Sequence, residues 1–167
     1  MRKDPERLEK LRQLAILDTA PEVVYDDIVR ALADSFDVPI AMVNILDGDR
    51  DWFKSCVGLP FSESPATTSF CQAFFQSSKD VIVAEDTARD GLFAAHPLVL
   101  GEPFVRFYAA TRLVVDGQTM GTLCVYDVKP KRVTDEQRAM LELLGRAAME
   151  KLGQRSPAAA SSSPAKT

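Results

Sequence analysis

Residues 106–127 read Arg-Phe-Tyr-Ala-Ala-Thr-Arg-Leu-Val-Val-Asp-Gly-Gln-Thr-Met-Gly-Thr-Leu-Cys-Val-Tyr-Asp, and they constrain the fold more than any other stretch. Phe107 to Val115 is apolar or β-branched at nearly every position, and Met120 to Tyr126 returns with the same character. Asp116-Gly117 between them suits a tight turn, because glycine accepts the positive φ that two-residue hairpin loops need. The segment is a hairpin written in sequence. It also places Arg106 and Arg112 in a strand otherwise fit for a core, which points to a pocket rather than a plain sandwich.

The remaining elements follow from period and punctuation. Asp4-Pro5 opens a first helix, with Asp as cap and Pro at the first helical position. Thr19-Ala20-Pro21-Glu22 has capping-box spacing before a second, which carries Tyr25, Ile28, Val29, Leu32 and Phe36 at helical period. The run Pro39 to Leu46 predicts a strand covered on both faces, with residues 51–57 as its hairpin partner. Trp52, Lys54 and Cys56 share one side of that partner by strict alternation. Residues 59–68 are a loop. Ser69-Phe70-Cys71-Gln72 is a second capping box, opening a short helix, and Val81 to Ala84 is a short strand. Residues 85–105 are irregular, as binding loops often are. Thr134 caps a last helix whose apolar face is Met140, Leu141, Leu144, Ala147, Ala148 and Leu152. Hairpins imply antiparallel pairing, so the class is α+β, one sheet with helices packed on it. Residues 4–152 form the domain, and the small, polar residues 153–167 are expected to be a disordered Ala/Ser/Pro-rich tail.

Composition narrows the function. The net charge of −4 and the absence of a basic run argue against nucleic acid as a partner. No apolar run reaches the length of a membrane span, and the charged start lacks a secretory h-region. Three widely spaced cysteines are not a disulfide framework, so a cytoplasmic setting is expected.

Several motifs occur in a recognisable order: LDTAPE at 17–22, VPIAMVNILDGDRDWFKS at 38–55, GLPFSESP at 58–65 and SFC at 69–71. HPLV at 96–99, RFYAA at 106–110 and GTLCVYD at 121–127 continue the series. Over residues 5–150 the chain resembles bacterial GAF sensor domains. The resemblance implies a twisted antiparallel sheet flanked by helices, N- and C-terminal helices packed together, and a small-molecule pocket between the sheet and its covering loops. It also implies a homodimer and a relay to a kinase, cyclase or transcriptional regulator, here expected to be a separate protein. The chain departs from the pattern at Ala73, where relatives often carry His. It departs again at Ala110 and Arg112, where they carry Gly and Pro.

The candidate ligand-binding residues are Trp52, Lys54, Cys71, Asp86, Arg106, Tyr108, Arg112 and Cys124. Arg106, Tyr108 and Arg112 share a strand face, where guanidinium forks would grip a small anionic ligand; pairing with surface acids is the plainer reading. Cys71 sits in a first helical turn, where exposed amides favour thiolate; burial as a small hydrophobe is the alternative. Cys124 alternates with Thr122 and Tyr126 in a central strand, which suits core packing. Trp52, on the side of Lys54, offers a stacking wall or a core side chain. Asp86 is a turn cap, or a ligand contact as in relatives. His96 precedes Pro97 in a loop. No metal site is expected, and no cofactor is named by the sequence. Leu8, Leu11, Met140, Leu144 and Ala148 are candidates for a dimer seam. The leading reading is a small-molecule-sensing or regulatory module. The alternatives are an enzyme resembling the free methionine-(R)-sulfoxide reductases, or a dimeric interaction scaffold without a ligand.

Overall fold

In the computed structural model, residues 1–157 are described. They form helices α1 (Pro5–Leu14) and α2 (Val23–Phe36), then strands β1 (Ile40–Leu46), β2 (Arg50–Val57) and β3 (Glu63–Pro65). Two 3-10 segments follow, Ala66–Thr68 and Phe70–Phe75, then β4 (Val81–Ala84) and a 3-10 turn at Thr87–Arg89. The one-turn helix α3 (Pro97–Leu100), strands β5 (Phe107–Val115) and β6 (Gln118–Asp127), and the long helix α4 (Asp135–Gly153) complete the order.

The strands make one sheet in the order β3-β2-β1-β6-β5-β4, antiparallel at each pairing. The β5–β6 hairpin lies inside it. Its turn takes positive φ at both central residues, 51° at Asp116 and 77° at Gly117, the twist that lets flanking strands pair without splaying. β1 pairs with β6 and β2, so the two hairpins meet at the middle of the sheet.

Each face of the sheet has its own core. On one, Ala41, Val43, Ile45, Phe107, Leu113, Leu123 and Val125 pack beneath Leu11, Tyr25, Val29, Leu32, Phe36, Leu141 and Leu152 of the helices. There α2 and α4 pack together, and α1 lies along β6. Gly145 lets α4 approach β5: a Cβ there would meet Thr111 Cγ2 at 2.6 Å. On the other face Met42, Leu46, Phe53, Tyr108, Ala110 and Cys124 pack beneath Phe70, Phe74, Phe93, Val99 and Val105 from short segments.

Caps separate the sound sequence readings from the unsound. The Arg7 amide donates to Asp4 Oδ2 at the head of α1, and Thr134 with Gln137 completes a capping box on α4. The box at Thr19 does not form. α2 begins at Val23 with Glu22 in the cap position, because the Thr19 hydroxyl donates to the Ile16 carbonyl and accepts from Lys54. Ser69 caps nothing either: a 3-10 segment follows it, and its hydroxyl makes no cap hydrogen bond.

Two expectations at the surface are corrected. Leu11 and Ala148 are buried within the chain's own core and are not available to a seam, whereas Leu8, Met140 and Leu144 are half-buried. Residues 153–155, expected to lie in the tail, take part in the fold. α4 runs to Gly153, and the Arg155 guanidinium donates to the carbonyls of Leu14 and Ala15 and pairs with Glu22. The remainder of the expected tail lies outside the described residues. Among the described residues no helix is long and apolar enough to cross a membrane.

Candidate functional site

A cavity of about 400 Å³ opens between the β1–β2–β6 side of the sheet and its cover of short segments. Ile40, Met42 and Asn44 of β1, Asp51 and Phe53 of β2, and Tyr126 of β6 form its floor. Residues 59–70 and 98–105, including Leu59, Phe61, Ser69, Phe70, Leu98 and Val105, form its walls. The volume is in the range usual for small-molecule sites.

β1 is apolar except at Asn44, and alternation turns that residue toward the cavity beside Met42. Its Nδ2 donates to Asp51 Oδ2 at 2.9 Å and lies 3.6 Å from Cys71 Sγ. Asp51 Oδ1 receives Arg2 Nη2 at 2.6 Å, so a buried carboxylate is paired with a buried guanidinium. Arg2 also donates to the carbonyls of Asp47 and Arg50, and Arg7, likewise buried, donates to those of Arg2, Leu46 and Thr119. Burial, and then the neighbouring Arg2, lower the Arg7 pKa to about 10. The cavity floor is thereby wired to the head of α1. Asn44 Oδ1 and Ser69 Oγ, both buried, have no hydrogen-bond partner among the described residues.

Beside the cavity, between the cover and the sheet, Cys71 Sγ lies 3.0 Å from Thr122 Oγ1 and 3.1 Å from the Tyr108 hydroxyl. Cys124 Sγ lies 3.6 Å from the Tyr126 hydroxyl. Burial opposes ionisation of either thiol. Hydrogen bonds with Cys124, Thr122 and Tyr108 outweigh it at Cys71 and lower that pKa, while burial and the facing Cys71 push Cys124 well above the usual thiol range. Phe70 stacks on His96 at 4.0 Å and on Tyr108 at 5.3 Å, which holds the cover on the sheet.

The structure therefore divides the candidate residues. Cys71, Tyr108 and Cys124 come together in the core beside the cavity but do not line it. Trp52 and Lys54 lie on the opposite face. Trp52 pairs with Ile45 in the helix-side core, and Lys54 Nζ is held by Thr19, the Ala20 carbonyl and Glu22. The register shifts between Val43 and Asn44, leaving Lys54 an extra residue. Such a bulge turns the following side chains over, so Cys56 joins the cavity-side core. Neither Arg106 nor Arg112 is among the cavity's lining residues, and backbone carbonyls engage part of each guanidinium. Arg106 donates to Val99 and Val105, and Arg112 to Phe74, Ser77 and Lys79, with Nη1 on Thr119 Oγ1 at 2.8 Å. Asp86 caps the 3-10 turn by accepting from the Ala88 amide. Sequence reasoning passed over Asn44, Asp51 and Ser69. The lone polar residue inside an apolar strand was the available signal for Asn44; the mistaken cap assignment hid Ser69.

A family model described as GAF domain matches residues 20–152. A cyclic di-GMP phosphodiesterase of Pseudomonas aeruginosa is 36% identical over 142 residues, which are 84% of this chain and 24% of that protein. The chain thus spans about a quarter of the length of that relative. The solved GAF domain of an Acinetobacter phosphoenolpyruvate-protein phosphotransferase superposes with a TM-score of 0.61 at 18% identity, covering 98% of this chain and 99% of that one. The type II free methionine-R-sulfoxide reductase of Thermoplasma acidophilum gives 0.59 at 15% identity, covering 78% and 90%. At these identities the likeness to solved structures is one of fold.

Proposed function

The chain belongs to the GAF domain family, and from that premise we propose that it is a sensory or regulatory module whose ligand enters the cavity between sheet and cover. One observation carries the reading: the cavity floor presents a buried, unpartnered acceptor on Asn44, which is hydrogen-bonded through Asp51 to Arg2 before α1. A ligand that engages Asn44 Oδ1 fixes the amide whose Nδ2 donates to Asp51, and so biases the Arg2 clamp. Differential affinity for two arrangements of that clamp is what a sensor requires. The output is a kinase, cyclase, phosphodiesterase or transcriptional regulator, and the half-buried Leu8, Met140 and Leu144, with exposed Leu143, supply a homodimer seam.

A thermal-shift screen of small metabolites tests the reading. Binding to the folded state raises the melting temperature by mass action. Compounds that stabilise the wild type should fail on Leu98→Trp, which fills the cavity from its cover. Stabilisation that survives Leu98→Trp, or no stabilising compound at all, counts against it.

Cys71 motivates a second reading, thiol chemistry on free methionine-(R)-sulfoxide. Against it, both Cys71 and Cys124 are fully buried in the cavity-side core, whereas a reactive thiol needs access. Thioredoxin-dependent turnover lost in Cys71→Ser would favour the enzyme.

A further inference from the structure

We infer that the cavity selects an uncharged ligand, an apolar body ending in a hydroxyl-type group seated on Asn44 and Ser69. The inference rests on the sensory reading of the same cavity and narrows its ligand. Charge decides first. The charged side chains on the cavity wall are Asp51 and Glu63, and no Lys, Arg or His lies there among the described residues. Arg2 pairs with Asp51 at 2.6 Å, and Arg50 reaches Glu63 at 3.2 Å while also holding Asp18 and Asp47. An anion would meet two carboxylates and no cation, and burying an unpaired charge is costly. A cation finds the Asp51 oxygens already taken, one by Arg2 and the other by Asn44.

The head group follows from the unpartnered atoms. Asn44 is 1% exposed and Ser69 is 7% exposed, and Asn44 Oδ1 and Ser69 Oγ have no partners. The amide oxygen only accepts, so the ligand must donate to it; the serine hydroxyl both donates and accepts. A ligand hydroxyl has the chemistry for both groups, since it can give its proton to Asn44 and can accept one from Ser69. The rest of the lining is mostly apolar, Met42, Phe53, Leu98 and Val105 among it, with Ser64, Thr68 and Tyr126 as its hydroxyl-bearing residues, so the ligand's body is apolar.

Calorimetric titration of the full chain with three matched probes tests the inference: 4-propylphenol (neutral donor), 4-propylanisole (the donor methylated) and 4-propylbenzoate (an anion). The phenol should bind about tenfold tighter than either, the worth of one satisfied buried hydrogen bond. Asn44→Leu and Ser69→Ala should each bring the phenol down toward the anisole, and either variant suffices if the other fails to fold. Benzoate binding as well as the phenol overturns the uncharged ligand, and anisole matching the phenol overturns the hydroxyl head. In both cases the cavity still binds, so the sensory reading stands. No heat from any probe at millimolar concentration overturns both together.

Discussion

Arg112 shows how a residue's role depends on what a distant segment brings to it. Its charge in an apolar strand was legible, and an anion was the natural partner to expect. The partners are carbonyls of Phe74, Ser77 and Lys79, with the surface carboxylate of Asp80 3.5 Å from Nε, and their approach depends on how the cover folds back over β5. The guanidinium also lies over the Phe74 ring, with its carbon 5.2 Å from the centroid. Arg112→Ala removes several charge-assisted hydrogen bonds at once and should destabilise the domain by about 2 kcal/mol in denaturant titration. Arg112→Lys should recover only part of this, because one ammonium cannot replace a planar fork. A full recovery would show that charge alone matters there. Asn44 is the opposite case. Its polarity inside Pro39–Leu46 was visible, but only the pairing with β2 shows that Asp51 takes its amide and leaves the carbonyl to the cavity.

Elements were legible where local chemistry decides them. Both hairpins, the Asp116-Gly117 turn and the caps at Asp4 and Thr134 formed as periodicity and turn residues dictate. Elements set by tertiary contact were not. The bulge in β2, the strand β3 within an expected loop, and the 3-10 path of Phe70–Phe75 depend on the sheet edge and the cover packing. α3 offers a test at this scale. His96 Nδ1 accepts from the Leu98 amide at 3.0 Å, so that nitrogen carries no proton in the folded state. Burial lowers the His96 pKa below 6.5, against a weaker opposing hydrogen bond with the Thr68 backbone. A base whose folded pKa is lowered binds fewer protons folded than unfolded. Its stabilising contribution is full above 6.5, falls below it, and is lost once pH passes the folded-state pKa. Denaturant titrations at pH 7 and pH 5 should show a smaller pH-dependent loss in His96→Asn, which keeps a capping acceptor without titrating. Equal losses in both proteins would remove His96 from the account.

Across the whole molecule, the sheet separates a helix-packed face from the face that holds the cavity, and Arg2–Asp51 is the buried link between the cavity and α1. Breaking it alone should be severe. Arg2→Met leaves Asp51 buried and unpaired, at a cost of about 3–5 kcal/mol, and adding Asp51→Asn should return part of that stability. An unaltered unfolding midpoint in Arg2→Met would show the link to be dispensable. The sequence revealed neither face assignment nor link, since alternation states which side chains share a side and not which side is covered. The central claim is that the cavity, and not the helix face, receives the ligand. Methyl-resolved NMR during titration with 4-propylphenol tests it most directly. The account predicts saturable shifts at Ile40, Met42, Leu98 and Val105, with Leu32, Val43 and Leu141 unmoved; no saturable shift, or shifts centred on those helix-side methyls, would contradict it.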